Sequence, residues 1–183
     1  MIQAIRLLAI SGAALAASVI SAAAQDATTR RPSPLPGGAT SLSETYEDWQ
    51  VLCGAQDGKA ACNVTQTQMQ QNTGQRVLDI RLNPAGEDGS VQGLLTLPFG
   101  LDLARGVTVQ VDDGKATEPL AFSTCLPSGC LVPLALDKAQ LATMRNGKAL
   151  ALKAASVQGQ EAPFAISLKG FAKAIDRAAG LVR

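Results

Sequence analysis

Through most of the chain the apolar positions recur at every second residue. In 76–82, Leu78, Ile80 and Leu82 fall on one face and Asp79 and Arg81 on the other, which is the period of a half-buried β-strand. The same pattern predicts strands at 49–53, 62–68, 91–97, 106–111, 131–136 and 149–155, and a last one carrying Phe164, Ile166 and Leu168. Asp112-Asp113-Gly114 is a turn, because Asp and Gly tolerate positive φ. Residues 117–122 are the expected hairpin partner, with Pro119 marking an edge; Pro133 likewise marks an edge or bulge. Two segments change to a helical period. Asp137 is placed to cap a helix over 138–145, with Gln140 at the capping-box position, Leu136 and Leu141 at staple spacing, and Asn146-Gly147 as the stop. Leu168, Phe171, Ala174, Ile175 and Ala178 then recur at helical spacing up to Gly180, predicting a short C-terminal helix packed on the body. Many short strands with turn residues between them predict a mainly β fold, a sandwich or barrel, in one domain over 44–183.

The first 43 residues break this pattern. A charged start (1–6), an apolar run (7–20) and Ala22-Ala23-Ala24 have the order of a secretory signal peptide over 1–24. The run is shorter than the roughly 20 residues that span a bilayer, so no stable membrane span is expected. Gln25 rather than a Cys follows the expected cleavage site, which points to a product without a lipid anchor. Residues 25–43 hold Pro32, Pro34, Pro36, Gly37 and Gly38 without apolar period, and are expected to be a flexible linker. Removing the leader takes away Arg6 and leaves 15 basic and 15 acidic residues. A neutral protein is poorly suited to nucleic acid or anionic lipid, so neither is expected as a partner.

The chain contains no His, which removes the commonest general base and metal ligand. It has no G-x-S-x-G, no P-loop and no G-x-G-x-x-G after a strand. Asp102, Asp112 and Asp113 lack the alternating spacing of a calcium loop, and Ser128 has no base near it in sequence. No catalytic residue, metal or cofactor is therefore expected, and the protein reads as a non-enzyme.

The chemistry that remains is in four cysteines: Cys53, Cys62, Cys125 and Cys130. In an exported chain an even count reads as disulfides. Three connectivities are open. Neighbour pairing, 53–62 and 125–130, is favoured because each pair brackets turn-like residues; loops this short contribute about 2–3 kcal/mol each. The spacings C-x8-C and C-x4-C match neither a zinc site nor a C-x-x-C redox motif. A thiol–disulfide role for Cys125 and Cys130 stays as an alternative, since Pro127 and Gly129 crowd a short loop. Within that loop Leu126, Pro127 and Ser128 are candidate contact residues. Trp49, the single Trp, is a core position first and a candidate contact residue second.

Four stretches together resemble the invasion-associated locus B family of exported bacterial proteins. They are Ser43-Glu44-Thr45-Tyr46-Glu47-Asp48-Trp49-Gln50-Val51-Leu52-Cys53 followed by Cys62; Leu97-Pro98-Phe99-Gly100-Leu101-Asp102-Leu103 running into 107–114; Phe122-Ser123-Thr124-Cys125-Leu126-Pro127-Ser128-Gly129-Cys130; and Ser167-Leu168-Lys169-Gly170-Phe171. The resemblance implies an immunoglobulin-like β-sandwich, a periplasmic or surface-associated location, and a part in host-cell invasion in pathogens. It carries over the four cysteines as framework positions and no catalytic residue. The expected partner is an envelope or host-surface protein; a purely structural envelope component is the other reading.

Overall fold

The computed structural model describes residues 33–84 and 89–182; the expected leader and the first part of the linker lie outside them. Among the described residues ten strands form two antiparallel sheets. In the larger, β1 (Ser41–Tyr46), β2 (Trp49–Gln56), β3 (Lys59–Met69), β4 (Arg76–Leu82) and β5 (Val91–Leu97) follow one another as a meander. β8 (Gly129–Leu136) lies beside β5, and β7 (Thr124–Leu126) forms the far edge. The smaller sheet is β10 (Glu161–Ser167), β9 (Ala149–Ala155) and β6 (Thr108–Val111). Helix α1 (Lys138–Asn146) links β8 to β9, and α2 (Phe171–Leu181) closes the chain.

Register builds the core. Val51, Val64 and Leu82 stand opposite one another across β2, β3 and β4, and Ile80, Leu95 and Val132 do so across β4, β5 and β8; all are buried. Because side chains alternate along a strand, this register sends every apolar residue of the set to the same face. α2 covers that face over β1–β3, packing on all three strands. The small sheet adds Val109, Leu150, Leu152 and Ile166 to the same buried cluster. The result is the mainly β, two-sheet sandwich arrangement with a C-terminal helix that the alternation predicts.

The edge of β10 is protected in a specific way. The Gln66 side chain donates to the Ser167 carbonyl at 2.9 Å and accepts from the Ser167 N–H at 3.2 Å, while Gln68 donates to the Ala165 carbonyl at 2.6 Å. Two β3 amides thus act as a substitute strand, and Pro163 brings no N–H of its own.

Several expectations are corrected. The flexible linker does not extend through Ser43: Leu35 is buried, and β1 begins at Ser41 and pairs with β2 over six residues. Only Leu42 and Tyr46 mark the inward side of β1, with Glu44 between them, so no apolar period shows. Residues 117–122 do not form a strand. Val107 and Leu120 exchange backbone bonds, and Thr117 N–H donates to the Val109 carbonyl. The Val109 N–H, however, bonds the Thr117 hydroxyl at 3.0 Å rather than a carbonyl, and Pro119 has no N–H to offer. α2 passes through Gly180 to Leu181. Asp79, on the face opposite Leu78, Ile80 and Leu82, is also buried, accepting from the Thr67 hydroxyl at 2.5 Å with Arg81 at 3.9 Å. α1 forms as the capping box requires, with Asp137 and Gln140 satisfying each other's backbone N–H groups at 2.7 and 2.9 Å.

Candidate functional site

The two disulfides form between sequence neighbours. Cys53 and Cys62 stand directly opposite each other in β2 and β3, and Cys125 and Cys130 do so in β7 and β8. Each bridge therefore locks a hairpin register. Their surroundings differ: Cys53, Cys62 and Cys130 are buried, whereas Cys125 lies on the exposed strand β7.

Trp49 is fully buried, so it is a framework residue and not a contact residue. Its indole N–H donates to the Ser167 carbonyl at 2.8 Å, and its ring lies 4.9 Å from the Phe171 ring, tilted by 52°. Between them Gly170 adopts φ +82° and passes directly against the Tyr46 carbonyl, where no side chain fits. The first and last of the quoted stretches are thus one structural joint: the β1–β2 turn seats the start of α2. An ion pair closes its outer side. Arg177 of α2 donates from Nε and an Nη to the two Glu44 oxygens, both at 2.8 Å, and the Tyr46 hydroxyl donates to the same carboxylate at 2.7 Å. The Arg177 guanidinium, and after it the Tyr46 hydroxyl, hold the Glu44 carboxyl below its usual range; the same carboxylate raises the Tyr46 phenol.

The predicted contact residues lie toward the opposite edge of the large sheet, on β7 and the turn into β8. Leu126, Pro127 and Ser128, the predicted contact residues, are all exposed at the tip of the β7–β8 hairpin. The turn closes through Gly129, at φ +131°, where a Cβ would come within 2.5 Å of the Leu97 carbonyl oxygen. Because β8 pairs with β5, this tip stands beside Pro98 and Phe99, which follow β5; because β3, β4 and β5 are adjacent, Met69 and Arg76 come alongside. Pro127, Ser128, Pro98, Phe99, Met69 and Arg76 line an open groove of about 580 Å³, and Leu126 precedes it on β7. Phe99 is 61%, Met69 54% and Leu126 48% exposed, half of the large apolar side chains that the described residues leave in solvent. Arg76 forms no ion pair among the described residues.

Met69, Arg76 and Phe99 were not among the predicted site residues. Phe99 carries a local signal, an aromatic directly after a strand-ending proline. Met69 and Arg76 join only through the strand order.

These features define a disulfide-pinned β-sandwich with a joint at the β1–β2 edge of the large sheet and an apolar groove toward the β7–β8 edge. The chain belongs to the invasion associated locus B (IalB) protein family, whose pattern matches residues 49–179. It is 46% identical over 151 residues to an invasion protein B homologue of Brucella abortus strain 2308, covering 81% of this chain and 86% of that protein. It is 36% identical over 177 residues to invasion protein B of Bartonella bacilliformis, covering 95% and 92%. Its structure resembles the crystal structure of invasion associated protein B from Bartonella henselae, with a TM-score of 0.70 and 35% identity over 76% of this chain and 96% of that one.

Proposed function

We propose that this protein is an exported, non-enzymatic binding module of the cell envelope that captures a segment of an envelope or host-surface protein in the groove beside the Cys125–Cys130 hairpin. The observation that carries the reading is the gathering of Phe99 and Met69 in solvent around one concavity, with exposed Leu126 on the disulfide-held hairpin that borders it. Exposed apolar side chains clustered on a rigid rim mark interaction sites, because their burial drives association and little ordering is needed. Arg76 suits a partner segment that sets a carboxylate beside an apolar side chain. Export fits two disulfides and described helices none of which is long and apolar enough to cross a membrane. A part in invasion rests on the names of the Brucella and Bartonella relatives.

The test is partner capture by Phe99→Asp and Leu126→Asp against Leu52→Asp, a charge placed on an exposed apolar residue of β2 away from the groove. The first two should lose at least tenfold in affinity and the third should not; equal loss in all three, or none, contradicts the site.

A thiol–disulfide role is the second reading, and the exposure of Cys125 is what favours it. It requires the Cys125–Cys130 bridge to open in a glutathione buffer, and a bridge that stays oxidised there excludes it.

A further inference from the structure

A crevice of about 260 Å³ opens between β6 and β9 of the small sheet, the end of β8, and α1. Val109, Leu136, Met144 and Leu150 line it, each at most 6% exposed, with Val111 half-buried at its rim and Lys115 on the loop after β6. Its polar neighbours are already engaged. The Thr117 hydroxyl accepts from Val109, the Gln140 amide oxygen accepts from Asp137, and the Thr143 hydroxyl donates to the Ala139 carbonyl. Asp112, close by in sequence, accepts from the Lys148 and Ala149 N–H groups. Lys115 forms no ion pair among the described residues.

Core side chains facing a gap lack partner atoms, and an apolar space offers water too few hydrogen bonds to settle there. What completes such a space is an apolar chain, and the ammonium at its edge selects the charge of the head. We propose that this crevice binds a single unbranched, medium-chain monocarboxylate, its tail among Val109, Leu136, Met144 and Leu150 and its carboxylate on Lys115. The volume lies just below the roughly 300–1,000 Å³ of ordinary small-molecule sites, which admits one short chain and not a two-tailed lipid. The site is separate from the groove at Phe99 and does not depend on it.

The experiment is calorimetric titration of the full-length mature protein with hexanoate, octanoate, decanoate and dodecanoate, each below its micelle concentration, and with the matching alcohols. Affinity should rise about fourfold per added methylene until the crevice is full, and then level off. The alcohols should bind at least tenfold more weakly than the carboxylates, and Lys115→Ala should remove that difference. Val111→Phe, which fills the rim, should abolish binding; Lys115→Ala, a change at an exposed residue, keeps the test decisive if the Phe variant does not fold. No saturable binding overturns the proposal, as does undiminished binding by folded Val111→Phe. Alcohols that bind as tightly as carboxylates overturn the assignment of Lys115.

Discussion

Alanine at Gly170 would place a methyl group against the Tyr46 carbonyl, 2.6 Å from its carbon, on a residue held at φ +82°. The left-handed conformation costs a non-glycine residue about 1–2 kcal/mol. The contact cannot be relieved by a rotamer change, because it is made with backbone, and that backbone leads into Trp49 at the centre of the joint. Pushing packed backbone aside costs a further 1–3 kcal/mol or so, giving a total of about 2–5 kcal/mol. For a domain of this size that lowers the unfolding midpoint by on the order of 10 °C. Gly180, in the last turn of the same helix, is the control. A Cβ there meets nothing within 4 Å, so Gly180→Ala should stabilise by up to about 0.5–1 kcal/mol by narrowing the unfolded ensemble. Urea unfolding followed by the fluorescence of Trp49, the chain's single Trp, reads both variants at the joint itself. If Gly170→Ala lies within about 1 kcal/mol of the parent, the joint is looser than described and the reasoning fails.

Three further predictions concern charge and sulfur. Glu44 has a depressed carboxyl, so its bond to Arg177 contributes stability that is present above the unfolded carboxylate pKa and lost as pH falls through the lower folded value. Acid titration of stability should therefore decline below about pH 4.5, and Arg177→Gln should show a shallower decline there; identical slopes would contradict the pairing. In a graded dithiol titration read by peptide mapping, Cys125–Cys130 should open before Cys53–Cys62, because an attacking thiolate reaches exposed Cys125 first. Removing either bridge by paired substitution should cost about 2–3 kcal/mol in urea unfolding.

The elements legible in the sequence are those whose partners lie on both sides of a strand. Arg76–Leu82, Val91–Leu97 and Ala149–Ala155 alternate because one face enters the core, and their predicted bounds match the structure. Local disulfide pairing is legible for a similar reason, since each pair brackets its own turn. β1 escapes notice because an edge strand needs few apolar residues, and Glu44 on its inward side serves Arg177, 133 residues away. β7 has three exposed residues and exists because its neighbour strand and a disulfide hold it. Trp49 reads as core first and contact second from its position alone; the Ser167 carbonyl and the Phe171 ring decide it. The loop of Leu126, Pro127 and Ser128 can be picked out by its bracketing cysteines, whereas the groove around it requires β8 to lie beside β5, a long-range pairing that no local pattern encodes.

The central claim is that the end of the sandwich bearing Phe99 and the Cys125–Cys130 hairpin is where a partner sits. The most direct measurement places a photo-crosslinking residue at Phe99, at Leu126 and, as the remote control, at Leu52 on β2 in the protein as made by living cells, and maps the products by mass spectrometry. The account predicts one and the same protein crosslinked at Phe99 and Leu126, absent at Leu52, and lost when Arg76→Glu is combined with the probe at Leu126. The same crosslinks at all three positions, or a defined partner at Leu52 alone, would contradict it.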